Sequence, residues 1–412
     1  MALLEAALIL VWTLAAALWW CWAWRLVARQ GAVDRVAATG SREKHASVRL
    51  TIFKPCPPLG SRQVGAGLIR ALESFFGQLD AGCELLLGIN AEDRAAWEPL
   101  VRRWRVDYPD AAWRVVYRPG LTVSERHANP KVAWQRELAP LASGELWMWS
   151  DADIVAPAGF LRAARAEHAA QGDDATSVVL THPYAVRRAP HPAGLLDALF
   201  VNVELLPGVL LLGRRGPDAN PKLGLGASLV FPAAEFRRRV DWDDLGACLA
   251  DDYALARKFH LTRLGVGTLE TIAEQTSWRG AALHYLRWQK TVRWCRPAGF
   301  LAQLLVFPLL GWLLLLATHW PHTGAAALGA GLTLGMETFF ARGICRRAGC
   351  AISLRRHWRV LLGWSCLRAA GWLACWLPWP VRWNGRNWWR PRAVPAPRRP
   401  APAVGNVAAG EA

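Results

Sequence analysis

Leu146-Trp147-Met148-Trp149-Ser150-Asp151-Ala152-Asp153-Ile154-Val155 is the stretch on which the reading of the fold turns. Its first four residues form an apolar run of the length of a buried strand, and two acidic residues one position apart follow it. In an open α/β sheet, ligands gather beyond the C-terminal ends of the strands. Two carboxylates placed there, Asp151 and Asp153, suit a hard divalent cation, Mg2+ or Mn2+, which can in turn hold the phosphates of a nucleotide. An Asp-x-Asp is common in any sequence, so its meaning depends on what surrounds it.

Upstream, residues 48–53 read as a first strand stopped by Pro55 and Pro57, and residues 64–78 carry the helical spacing Leu68, Ile69, Leu72, Phe75. Residues 83–89 are nearly all apolar, as parallel strands covered on both faces are. A helix with a basic face is predicted over 95–108 and a third strand over 113–117. This alternation predicts a doubly wound α/β domain over residues 46–290. No Gly-x-Gly-x-x-Gly follows the first strand, which argues against a dinucleotide-binding fold.

Apolar blocks flank that domain. The chain of 412 residues has 25 Trp and a mean hydropathy of +0.12, a combination that points to a membrane, where Trp sits at headgroup level. Residues 6–27 are long enough to span, carry no charge before Arg25, and are followed by Arg25, Arg29 and Arg35. A cleaved signal peptide would carry its positive charge before the run, where Glu5 stands, so residues 1–30 read as a retained anchor with the N-terminus outside. Two or three further segments are expected over 297–380. Residues 300–320 read as a clear span, and 325–340, with several Gly and Glu337, as a weaker one. The loop at 319–323 has no Lys or Arg and is expected outside, while Arg342, Arg346, Arg347, Arg355, Arg356 and Arg359 put the next loop in the cytoplasm. Residues 360–379, interrupted by Arg368, either cross and carry the basic 382–386 stretch outside, or lie in the interface and keep it inside. The Pro- and Ala-rich tail, 393–412, reads as disordered. The expected place is a bacterial inner membrane with the α/β domain cytoplasmic.

The net charge of +17 could suggest nucleic acid, but the basic residues cluster beside the apolar runs and no zinc-finger or RNA-binding motif accompanies them. Anionic headgroups are the expected partner of that charge. Nine scattered cysteines without a CxxC pair predict neither a metal cluster nor structural disulfides.

Two further constellations stand in the chain. Asp251-Asp252-Tyr253 opens an amphipathic helix, where the doublet serves either as an ordinary N-cap or as a carboxylate facing a cleft. His284-Tyr285-Leu286-Arg287-Trp288 precedes the membrane block. It reads either as an aromatic and basic anchor, or as an Arg for a diphosphate with a Trp for a sugar or apolar acceptor.

In this order, an acidic pair, a later Asp and an Arg-Trp before a span, the chain resembles the inverting glycosyltransferases of family 2 and, more closely, family 21. That group includes ceramide glucosyltransferase and the hopanoid-associated N-acetylglucosaminyltransferases. Phe53-Lys54-Pro55 matches the family's L-K-P and Asn129-Pro130-Lys131 its N-P-K; Gly226-Ala227-Ser228 matches its small-residue turn. Asp251-Asp252-Tyr253 matches E-D-Y, and Arg382-Trp383-Asn384-Gly385-Arg386 the terminal W-R-x-G-R-x.

The resemblance implies a GT-A-like fold in which Asp151 and Asp153 hold Mg2+ or Mn2+ on a UDP-sugar. It implies Asp252 as the base that takes the acceptor proton, Arg287 on the diphosphate, Trp288 at the acceptor or sugar, and Lys131 on the donor. Two departures stand out. The family's early Asp, which reads the nucleotide base, is replaced by Asn90 or shifted to Asp93, and His284 occupies a position usual for Gln or Arg. Residues 195–212 are apolar enough to suggest a span, but Asp197, Asn202, Glu204 and Pro207 argue for an interfacial element or a core helix. The expected activity is sugar transfer from a UDP-sugar to a lipid hydroxyl, ceramide first and a hopanoid polyol second. A processive polysaccharide synthase and a UDP-sugar-binding protein with a decayed site are the alternatives.

Overall fold

The computed structural model describes residues 2–40, 48–59, 63–119, 129–213, 220, 222–318, 323–383 and 386–389. The expected outward loop at 319–322, the Asn384-Gly385 pair and the tail at 393–412 lie outside the described residues.

A seven-stranded sheet runs β3 (Trp113–Arg118), β2 (Cys83–Asn90), β1 (Leu50–Pro55), β4 (Leu146–Trp149), β8 (Leu229–Pro232), β6 (Val178–Thr181), β9 (Leu261–Leu264). The first four are mutually parallel, and β8 runs antiparallel to both β4 and β6. A small second sheet joins β5 (Ile154–Val155), β10 (Leu269–Thr271) and β7 (Tyr184–Val186). The nearly all-apolar strands are buried on both faces because helices cover both. Their pleat sorts the side chains. Leu50, Ile52, Leu85, Leu87 and Met148 pack with α2 (Ala66–Phe76), α3 (Arg94–Asp107) and α5 (Phe160–Ala169). Phe53, Leu86, Trp147 and Trp149 pack with α4 (Pro130–Leu138), α8 (Ala233–Arg239) and α10 (Asp251–Lys258). A short α9 (Trp242–Gly246) leads into α10. This is the doubly wound class expected of a GT-A-like domain.

The remaining helices form a third body of core. Helix α1 (Ala2–Gly40) supplies Trp20, Ala23 and Leu26; α14 (Thr323–Arg347) supplies Ala341 and Ile344; α15 (Leu354–Ala374) supplies Leu361 and Trp364. They pack on α11 (Trp278–Cys295) and on a continuous helical run of α6 (Gly194–Leu199), a π-turn at Phe200–Leu205 and α7 (Leu206–Gly213). Among the described residues, two helices are by length and composition apolar enough to cross a membrane, over Leu4–Arg35 and Gly194–Gly213, but most of the second is buried inside the protein. Between the interfacial element and the core helix, residues 194–213 are therefore packed as a core helix. Helix α1 instead turns Leu4, Leu8, Val11, Leu14 and Leu18 outward, the sort of apolar surface a water-facing helix does not keep.

The span expected over residues 300–320 is bent in its described part: Pro297–Val306, which contains α12 (Pro297–Ala302), meets α13 (Pro308–Thr318) at 60°, the geometry of a broken span or a re-entrant pair. Pro308 has no N–H to continue the ladder and biases Phe307 away from helical geometry. All nine cysteines are free thiols.

Candidate active site

The acidic pair lies beyond the end of β4, held from both sides. Lys54 of β1 is fully buried; its ammonium donates to the Ser150 hydroxyl at 3.0 Å and the Asp151 carbonyl at 2.7 Å, 3.7 Å from the centre of the Phe75 ring. Burial pushes this ammonium down to about 7, against the pull of Asp153 and Asp151. From the other side, the Asp151 N–H donates to the Gly226 carbonyl at 3.0 Å. Gly226 in turn donates its N–H to Oδ2 of Asp252 at 2.8 Å, so one residue links the two key aspartates. A Cβ at Gly226 would stand 2.6 Å from Asp151 Oδ2, and one at Gly224 would stand 2.0 Å from the Asp252 carbonyl oxygen. The small-residue turn exists for that close approach.

Asn129-Pro130-Lys131 is a capping and tethering device. The Asn129 side-chain oxygen accepts from the N–H groups of Lys131 and Val132, with Pro130 at the first helical position. Its amide donates to the Cys248 carbonyl at 3.0 Å and to Asp251 at 3.2 Å. Lys131 then reaches Asp151 at 2.6 Å and Asp251 at 3.3 Å. Burial alone would lower this ammonium, but Asp151, Asp251 and Asp252 outweigh it and hold the pKa above its ordinary value.

The Asp251-Asp252 doublet divides its work. Asp251 does not cap α10, whose N-cap is Ala250; it holds Asn129 and Lys131. Asp252 faces the cleft, accepting from Gly226 and from its neighbour Tyr253 at 2.7 Å. Burial, reinforced by Asp251, pushes the Asp252 carboxyl up to about 7 in spite of Lys131. Asp153 is raised to about 7 as well, by burial and then by Asp151 and Glu274, while the Thr271 hydroxyl at 3.1 Å opposes the rise.

On α11 the side chains of His284, Arg287, Trp288, Thr291 and Cys295 line the cleft, at helical spacing. Nδ1 of His284 lies 3.0 Å from the buried carboxylate of Asp197, and its ring centre is 4.2 Å from Trp288. Burial lowers the Arg287 pKa to about 10, opposed by Asp197, Tyr184 and Asp151, so it remains a cation at neutral pH. The two candidates for the early acidic position part company. Asn90 lines the cleft and accepts from Trp134 at 3.3 Å, whereas Asp93 is buried outside it, accepting the Leu59 N–H at 2.9 Å.

The cleft measures about 750 Å3, the size of a site for a nucleotide-sized ligand. Six carboxylates, Asp151, Asp153, Asp197, Asp251, Asp252 and Glu274, line it against Lys131, Arg287 and Arg296. Among the described residues, no set of three or more His, Cys, Asp or Glu closes around one ion. Two neighbouring carboxylates with excess negative charge fit a hard cation in an open site, one whose remaining positions a diphosphate and water would fill.

Sequence reasoning missed several parts. Lys54 carried the signal of a lysine inside an otherwise apolar buried strand. Asp197 was weighed only against a span. Glu274 and Tyr184 reach the cleft from segments distant in sequence, with nothing local to mark them, and Trp383 stood in a terminal motif to which no role was given.

An α/β sheet with paired carboxylates at a strand end and a basic and aromatic helix across the cleft defines a nucleotide-sugar type of site. The chain belongs to glycosyl transferase family 21, whose family model matches residues 6–389. No curated protein matches it. Among solved structures it is similar to S. aureus TarS, residues 1–349, at 11% identity and a TM-score of 0.36, covering 82% of this chain and 95% of that one. It is also similar to glucosyl-3-phosphoglycerate synthase from Mycobacterium tuberculosis in complex with Mn2+, UDP-glucose and phosphoglyceric acid. There the identity is 12% and the TM-score 0.31, with 64% of this chain and 82% of that one covered.

Proposed function

We propose that this glycosyltransferase moves glucose or a related sugar from a UDP-sugar to a lipid hydroxyl, with inversion, at the cytoplasmic face of a bacterial inner membrane. Ceramide is the first acceptor to test and a hopanoid polyol the second. The observation that carries the reading is the mixed lining of one cleft. Asp151, Asp153, Lys131 and Asp252 line it together with the apolar and aromatic side chains of Phe200, Leu205, Leu223, Val292 and Trp383. A charged donor and an apolar acceptor would each find matching groups there.

Asp151 and Asp153 would hold Mg2+ or Mn2+, which when bound neutralises charge on the leaving diphosphate. Arg287, buried and cationic, faces the same diphosphate, and His284, held by Asp197, offers it a hydrogen bond. Asn90 meets the nucleotide base in place of an acid. Lys131 orients Asp151 and contacts the donor. Asp252 accepts the proton of the acceptor hydroxyl as that oxygen bonds to the anomeric carbon and the bond from that carbon to the diphosphate breaks. A carboxyl raised to about 7 is a better base near neutral pH than an ordinary aspartate. Attack and departure on opposite faces need one base and give inversion.

Helix α1 would anchor the chain with its N-terminus outside, and the cytoplasmic domain would span residues 46–290. Trp383 and Asp252 line one cleft, which supports the interfacial placement of residues 360–379 over a crossing. The test is purified protein in detergent with radiolabelled UDP-glucose or UDP-N-acetylglucosamine, Mg2+ or Mn2+, and ceramide or bacteriohopanetetrol. A labelled lipid that disappears with EDTA is expected. A soluble product only, or none with either lipid, would overturn the lipid acceptor.

A further inference from the structure

The terminal Arg382-Trp383-Asn384-Gly385-Arg386 motif has no step in the chemistry above, yet the structure brings its Trp383 to the cleft. Strands β11 (Val381–Trp383) and β12 (Arg386–Trp388) pair antiparallel, with Val381 opposite Trp388. Val381 and Trp388 are buried against Leu249, two residues before the Asp251-Asp252 doublet, with Trp294, Trp379 and Trp383 packed around them. The approach to this hairpin is fastened to α11. Lys290 donates to the carbonyls of Leu377 and Trp379, and Arg293 donates to that of Cys375. The Lys290 ammonium also lies 4.0 Å from the centre of the Trp379 ring. Helix α11 therefore serves two purposes. His284, Arg287 and Trp288 face the cleft, while Lys290 and Arg293 hold the strap that follows α15.

Among the described residues of 354–389, Trp383 alone lines the cleft. Its packing places it toward one end of the site. Asn90 ends β2, two strands to one side of β4, and marks the base end. Asp252 lies toward the other side of β4, bonded to the turn that enters β8. Trp383 joins the Asp252 end through Leu249, opposite the base end. A half-buried indole that lines the same cleft as Asp252 offers a flat apolar contact and one N–H donor.

We infer that Trp383 is an acceptor-binding residue: its indole packs on the apolar part of the acceptor next to the hydroxyl that Asp252 deprotonates. The inference rests on the lipid-acceptor reading, and its failure can be told apart from failure of that reading. The experiment measures initial rates for wild type, Trp383→Ala and Trp383→Phe, with UDP-sugar and whichever of ceramide or bacteriohopanetetrol the wild type glycosylates. UDP release without acceptor is followed in parallel. Trp383→Ala is expected to raise the acceptor KM about tenfold, the scale of one lost aromatic contact, with donor KM and acceptor-free UDP release unchanged. Trp383→Phe recovers most of the loss. An unchanged acceptor KM, or an equal rise in donor KM, would overturn the inference while leaving the lipid reading intact; a wild type that glycosylates neither lipid would remove its basis. Should Trp383→Ala fail to fold, wild-type protein is irradiated with a diazirine-tagged form of the same lipid. Label in the peptide carrying Trp383, competed by untagged lipid, is expected, and its absence overturns the inference.

Discussion

Two groups of buried charge flank α11, and they are built on opposite principles. On the cleft face, six carboxylates meet three lysine or arginine side chains, and two of the acids are held near pH 7 by burial. On the bundle face each acid has partners. Glu204 accepts from Gln289 at 2.9 Å, Trp364 at 3.1 Å and Tyr285 at 3.4 Å, and Glu337 pairs with Arg368 at 2.5 Å, with both of these side chains almost wholly buried. Isolated charge in a low-dielectric interior is expensive, so a fold keeps it only where it is paired or where a ligand will complete it. The bundle acids find their countercharge or donors within the protein. The cleft group is completed by what binds there.

The sharpest way to break this contrast is to replace one acid on the cleft side. Asp252→Asn keeps the shape and the hydrogen bond from Gly226 but cannot take a proton. Transfer is expected to fall by roughly 10²–10⁴-fold, the contribution of a general base, while UDP-sugar binding, measured by calorimetry, is retained. Residual transfer within a few-fold of wild type would remove Asp252 from the role.

On the bundle side the same kind of edit should damage folding. Arg368→Met leaves Glu337 buried without its cation and is expected to cost about 3–5 kcal/mol in detergent unfolding experiments. Replacing both partners, Arg368→Met with Glu337→Leu, is expected to recover most of that loss, because two apolar groups leave no orphan charge. A double variant no more stable than the single one would show that the pair has some value beyond neutralising itself.

A milder probe is pH. Asp252 holds its proton up to about 7 because it is buried, and the proposed base role requires that proton to be lost. kcat/KM is therefore expected to fall about tenfold per pH unit below 7 and to level off above it. The same shift has a stability consequence of definite sign. The folded state keeps a proton that the unfolded chain releases near its ordinary carboxyl pKa of about 3.9, so this group's contribution to stability declines as pH rises toward 7. A rate profile flat from pH 6 to 8 would contradict the assignment.

How much of this was legible beforehand follows the physics of each feature. The sheet was, because strands buried on both faces become apolar runs and their helices keep a 3.6-residue period. The meeting of Asp151, Asp153, Asp252 and Arg287 in one cleft was, through short motifs in fixed order. The break at Pro308 was written in the sequence and was outweighed by the length of the apolar run. The burial of residues 194–213 was not legible, since an apolar helix covered by other helices and one covered by lipid have the same composition. The role of Lys54 was hidden too, because only the folded sheet shows that a lysine on β1 ends under the loop that follows β4.

The smallest expected effect concerns the departure at position 284. A glutamine or arginine there can bond a phosphate with no help, whereas a histidine must have its proton placed. The Asp197 carboxylate, 3.0 Å from Nδ1, fixes the proton on that nitrogen and orients the ring toward the cleft. Asp197→Asn should then lower kcat/KM by several-fold, on the order of 1 kcal/mol, the value of one hydrogen bond to a neutral partner. In a His284→Gln background the same change should do less, because glutamine has no tautomer to fix. Asp197 also faces Arg287, whose charge it supports, so a fully additive pair of effects would assign the aspartate to Arg287 instead. The double-mutant cycle thus decides which of the two side chains the buried acid serves. It also tests the contrast at its finest grain, since Asp197 joins Asp151 and Asp251 among the cleft carboxylates that have a partner within the protein.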